Sequence, residues 1–136
     1  MSASQKPSDV SRRPDGDVAR QFFGAWRYVG TTFDGKLRED RGGEPPGIII
    51  YDPSGHMAVQ IVPVREERAT APISKFLAYF GTYSIDERAG TVTHHRVGDI
   101  RPDAPVDAVR QYRFEGKRLI LQPVGTTQEV LWERFS

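Results

Sequence analysis

Turn residues punctuate this chain at short intervals, and that spacing limits what it can become. Thirteen glycines and ten prolines are spread along 136 residues. Proline breaks helix interiors, and both residue types mark turns. Between them lie short runs of alternating apolar and polar residues. Eight read as strands: Ala25–Phe33, Gly47–Asp52, His56–Val62, Gly81–Asp86, Thr91–Gly98, Ala108–Glu115, Arg118–Gln122 and Glu129–Phe135. Such spacing indicates an antiparallel sandwich or barrel. Closing eight strands on themselves removes exposed edges and leaves room for one small ligand. The expected fold is therefore all-β, an eight-stranded antiparallel up-and-down barrel. Only Val18–Phe23 and Ile73–Tyr79 can make helical turns. The second carries Ile73, Phe76, Leu77 and Phe80 at helical spacing, which predicts a short helical segment across the barrel mouth. The stretch Gly42-Gly43-Glu44-Pro45-Pro46-Gly47 reads as another loop at that mouth.

The first residues differ in character. Ser2–Asp17 holds no aromatic and only Ala3 and Val10 as apolar residues, too little to offset ordering entropy. Residues 1–18 read as a disordered tail, and residues 19–136 as one barrel domain. Nineteen Lys and Arg against eighteen Asp and Glu leave a net charge of +1, which argues against nucleic acid or an anionic membrane as the main partner. The absence of cysteine excludes disulfides, thiolate metal sites and Cys nucleophiles. No apolar run approaches the roughly 18–20 residues of a membrane span, and the N-terminus has no signal-peptide core. A soluble cytoplasmic protein is expected. Its partner would be a small molecule, and a homodimer is the self-association this reading allows.

Turn chemistry predicts which side chains point inward. Asp52-Pro53-Ser54-Gly55 suits a type I turn, pairing Ile50 with Met57 and Ile48 with Val59. Gly116-Lys117 closes a two-residue hairpin that pairs Phe114 with Leu119 and Tyr112 with Leu121, with Arg110 on the same face. If Asp86 faces Thr91, Tyr83 faces His94. In each strand the more apolar face should point inward. Ligand-facing positions are then Ile50, Met57, Tyr83, His94, Arg110, Tyr112 and Phe114, joined by Tyr28 and Trp132 from the terminal strands.

Among these, three carry chemistry. Adjacent residues of a strand face opposite ways, so His94 points in and His95 out; they cannot share a metal, and no metal site is expected. His94 is either a hydrogen-bonded core residue or a general acid–base. Arg110 cannot shed its charge, and the predicted interior offers no carboxylate, so it needs a rim acid or an acidic or carbonyl ligand. Tyr83, with Tyr28 and Tyr112, either fills core or presents a hydroxyl to a ligand. No dinucleotide fingerprint, phosphate-binding loop or serine-hydrolase elbow is present, which sets those enzyme classes aside.

Several stretches resemble a known family. Gly24-Ala25-Trp26 is similar to the Gly-x-Trp signature of lipocalins and other calycins, and Val130-Leu131-Trp132-Glu133-Arg134 resembles their closing strand. Four more stretches resemble the lipocalin-like domain family of small bacterial and fungal proteins: Pro46 through Met57, Tyr79 through Tyr83, Val92 through His95, and Arg110 through Tyr112. The resemblance covers residues 21–136 and implies an eight-stranded calycin barrel. It also implies that Arg134 packs over Trp26 at the closed end. Some related small barrels act as cofactor-free cyclases or isomerases.

Two functional expectations follow. In one, the barrel binds a small, mostly apolar molecule with an acidic or carbonyl group. In the other, the same cavity houses a cofactor-free isomerase, cyclase or lyase. His94 would then move a proton while Arg110 and Tyr83 stabilise an oxyanion. No cofactor is expected in either. A filled barrel with a structural role is the third possibility.

Overall fold

The computed structural model of the protein describes residues 13–38 and 45–135. The strands are β1 (Gly24–Phe33), β2 (Lys36–Leu37), β3 (Gly47–Tyr51), β4 (His56–Ile61), β5 (Leu77–Asp86), β6 (Thr91–Asp99), β7 (Asp107–Glu115), β8 (Arg118–Pro123) and β9 (Gln128–Arg134). From β3 to β9 each strand pairs antiparallel with the next, and β1 pairs with both β3 and β9. The two-residue β2 merely extends β1 at Thr32 and Phe33. The result is the expected closed barrel of eight strands. No helix among the described residues is long and apolar enough to cross a membrane.

Two of the three expected hairpins have the expected register. Glu115 pairs with Arg118, Phe114 with Leu119 and Tyr112 with Leu121. Asp86 pairs with Thr91 and Tyr83 with His94. The third is shifted by one residue. Gly55 N–H donates to the Asp52 carbonyl, closing the turn, while Asp52 N–H donates to the His56 carbonyl. Gly55 sits at φ +95°, a conformation open to glycine, and adds one bulged residue to the loop. Tyr51 therefore pairs with Met57, and Ile49 with Val59. A one-residue slip exchanges the faces of a whole strand. Ile49 and Tyr51 are buried, whereas Ile50, expected to face a ligand, points outward at 39 % exposure, and Ile48 leaves the interior with it.

Helix α1 (Gly16–Phe22) is too short to stand alone. It forms because Ala19 and Phe22 are buried against the barrel. Phe22 plugs one end, meeting the rings of Tyr51, Tyr112 and Phe114 edge-on at 5.0–5.1 Å. Of the tail expected over residues 1–18, residues 1–12 lie outside the described residues, and Gly16, Asp17 and Val18 belong to α1. At the other end, α2 (Arg65–Arg68) and a 3₁₀ turn (Ile73–Lys75) cross between β4 and β5. The helical reading of Ile73–Tyr79 thus holds only for its first turn. Leu77 and Tyr79 pair instead with Ile61 and Val59 of β4, because sheet hydrogen bonding overrides a helical spacing this short. Of the glycine-rich loop expected at the mouth, residues 42–44 lie outside the described residues.

The β5–β6 seam carries a bulge. Gly81 lies so close to β6 that an added Cβ would sit 1.9 Å from the His95 carbonyl oxygen. The ladder skips a residue there, with Phe80 opposite Gly98 and Gly81 opposite Arg96. Such bulges re-aim side chains and tighten curvature. Here the bulge leaves Tyr79, His94 and Arg96 close together, with the Arg96 guanidinium carbon 4.6 Å from the Tyr79 ring centre.

Candidate functional site

A cavity of about 440 Å³ opens at the end opposite the Phe22 plug. Its apolar wall includes Leu77 of β5, Leu121 of β8, and Val130 and Trp132 of β9. Tyr28 and Thr31 of β1 also border it, their hydroxyls hydrogen-bonded to each other. Among the described residues, Arg38, Lys75, Arg101 and Arg110 stand around the mouth, with Glu67 as the one acidic lining residue.

Arg110 projects from β7 into this space and is only partly exposed. Its one hydrogen bond among the described residues runs to the carbonyl of its neighbour Val109, at 3.3 Å. Among the described residues it has no ion pair, so no rim carboxylate neutralises it there. Arg101 Nε is buried without a hydrogen-bond partner among the described residues. Two cationic groups at the cavity thus have unused donors, and hydrogen bonds from ionised groups are the strong ones.

His94 lies deeper. It is 1 % exposed and does not line the cavity. The Tyr51 hydroxyl is 2.6 Å from Nε2 and the Tyr79 hydroxyl 2.6 Å from Nδ1, so both ring nitrogens are occupied. Burial, reinforced by the charges of Arg110 and Arg96, pushes the His94 pKa down to about 3. Burial likewise holds the Tyr51 and Tyr79 pKa values above the ordinary phenol value. At neutral pH this is an uncharged hydrogen-bonded column of three rings, of which only Tyr79 borders the cavity.

The expected site residues divide by height in the barrel. Tyr28, Arg110 and Trp132 border the cavity. His94, Met57, Tyr83, Tyr112 and Phe114 point inward but do not. Met57 is buried core. Tyr83 donates its hydroxyl to the Asp52 carbonyl at 2.9 Å, at the turn of the plugged end, and Tyr112 and Phe114 ring Phe22. Strand parity separates inside from outside but carries no height along the barrel axis, so it does not distinguish the cavity wall from the plugged end. Ile50 is outside altogether. Tyr79 and Tyr51 were missed. The alternation Leu77, Tyr79, Gly81, Tyr83 would have revealed the first, and the Gly55 bulge the second.

The outward-facing His95 bonds Ser84 Oγ through Nε2 and Asp107 through Nδ1, each at 2.9 Å. This has the atom order of nucleophile, base and orienter. It lies on the outer face of paired strands, where the surrounding main-chain groups are taken up by the ladder. No cluster of three potential metal ligands occurs among the described residues.

The model of a family described as a lipocalin-like domain matches residues 23–135. The chain is a member of that family. No curated protein matches the chain in sequence. Among solved structures, the lipocalin-like barrel is similar to a crystal structure of a DUF4847 family protein from Bacteroides vulgatus ATCC 8482, with a TM-score of 0.52 and 15 % identity. The match covers 86 % of this chain and 96 % of that one. At that identity the likeness concerns the fold. The lipocalin-like fold is a ligand-binding fold, and Arg134 stacks over Trp26 as the resemblance implied.

Proposed function

We propose that the protein binds a small, mostly apolar organic molecule bearing an acidic or carbonyl group. The apolar body would lie against Leu77, Val130 and Trp132, and the polar group at Arg110. The observation that carries this reading is Arg110, a permanent cation at the cavity wall whose one hydrogen bond among the described residues is to Val109. A partly exposed guanidinium with spare donors can form strong charge-assisted hydrogen bonds to an anionic or carbonyl group. Among the described residues, the excess of Arg and Lys over Glu67 around the cavity supports the same sign of ligand. A volume of about 440 Å³ lies within the range of small-molecule pockets.

The catalytic alternative has less support. A general acid–base must reach the reacting proton. His94 has both nitrogens occupied and does not line the cavity, and Tyr83 is committed to Asp52 at the far end.

Binding is tested with a matched probe pair, anilinonaphthalene sulfonate and its uncharged parent phenylnaphthylamine, titrated by fluorescence. Arg110→Met should weaken the sulfonate by about tenfold or more, the size of a charged hydrogen bond, and move the neutral probe by less than about twofold. Equal losses for both probes, or none, would overturn the reading.

A further inference from the structure

We infer that His94 is a positioning residue: Tyr51 holds it in the Nδ1–H tautomer, which leaves the Tyr79 hydroxyl free to donate to the ligand. The inference rests on the binding reading above and adds a second recognition group beside Arg110.

The argument is one of hydrogen counting. A neutral imidazole has one N–H and one bare nitrogen. His94 meets a phenol at each nitrogen, so one phenol donates to it and the other accepts from it. Tyr51 is 0 % exposed, and His94 Nε2 is its one hydrogen-bond partner among the described residues. If Tyr51 accepted from Nε2, its own hydrogen would be buried with nowhere to go. That penalty corresponds to a ratio on the order of ten- to a hundredfold between the tautomers. Tyr51 must therefore donate to Nε2, and the ring's proton sits on Nδ1.

The consequence appears at Tyr79. Its oxygen accepts from Nδ1–H, so its hydroxyl hydrogen is not used by His94. Tyr79 borders the cavity, where that hydrogen can find a ligand acceptor. Accepting one hydrogen bond strengthens the next one donated along a chain. The Arg96 guanidinium on the Tyr79 ring adds a nearby positive charge that favours electron-rich oxygen over another donor. With Tyr79 as donor and Arg110 as cation, the cavity selects carboxylate-like or carbonyl oxygens and disfavours groups that can only donate.

The tautomer is read directly by nitrogen–proton NMR of the histidine rings. The chain has three histidines, so the variant His56→Gln/His95→Gln leaves His94 alone. Protonation at Nδ1 is expected; protonation at Nε2 overturns the inference. If the double variant does not fold, the single variants His56→Gln and His95→Gln suffice, because the ring signal present in both is that of His94. For the ligand, Tyr79→Phe should weaken anilinonaphthalene sulfonate by about five- to tenfold and phenylnaphthylamine by less than about twofold. Parallel losses, or none, overturn the role of Tyr79. Should neither probe bind the wild-type protein, the binding reading falls together with that role, whereas the NMR result still decides the state of His94.

Discussion

The guanidinium carbon of Arg134 lies 4.1 Å from the centre of the Trp26 ring, and the same side chain donates to the carbonyls of Phe23 and Gln21. One residue of β9 thereby stacks on β1 and satisfies carbonyls that the end of α1 leaves open. Trp26 completes the clasp by donating its indole N–H to the Phe22 carbonyl at 2.9 Å.

Because Trp26 is 2 % exposed at this junction, Trp26→Ala should cost about 3–5 kcal/mol in folding free energy. Arg134→Met, which keeps the stem and loses the charge, should cost about 1–2 kcal/mol. Denaturant titration measures both. A wild-type midpoint for Trp26→Ala would show that the α1–β1 junction is not part of the cooperative core.

Gly81 offers a backbone test. An alanine Cβ there would collide with the His95 carbonyl, and a strand backbone yields less readily than the tip of a side chain. Gly81→Ala should destabilise by about 1–3 kcal/mol, the range of overpacked sites. The bulge lies beside Tyr79, which is hydrogen-bonded to His94, so the His94 ring signals should shift in this variant. An unchanged spectrum and midpoint would mean that β5 and β6 are further apart than described.

His94 makes stability depend on pH in a stated direction. Its folded pKa of about 3 lies below its ordinary value of 6.5. Between the two the unfolded chain binds the extra proton, so the contribution is complete above pH 6.5 and is lost progressively as pH falls toward 3. Over that window the slope approaches about 1.4 kcal/mol per pH unit for this one group. Unfolding free energies from neutral pH down to about pH 5, above the range where carboxylates titrate, should show it. A flat profile would place His94 in a polar, solvated setting.

How much of this was legible depends on what each signal encodes. Periodicity and turn residues specify strands and pairing, so closure and two of the hairpins could be read directly. The Asp52–Gly55 turn could not, because its four residues fit either an ordinary turn or one followed by a bulge. That single ambiguity exchanged Ile50 for Tyr51 and hid one partner of His94. Parity placed His94, Tyr83, Tyr112 and Arg110 inside, yet the tilt of strands around a barrel decides which of them reach the cavity. Only Arg110 of those four does.

The Phe22 plug has a consequence for how such a chain can change over generations. Its aromatic contacts gather at one end, while the cavity at the other is rimmed by short helical turns and by residues joined to β4 and β5 through connecting loops. Mutations that redraw the rim leave those plug contacts intact. Since most substitutions destabilise and a protein tolerates few such losses, a reserve kept away from the mouth lets new ligand preferences be sampled there without unfolding the barrel.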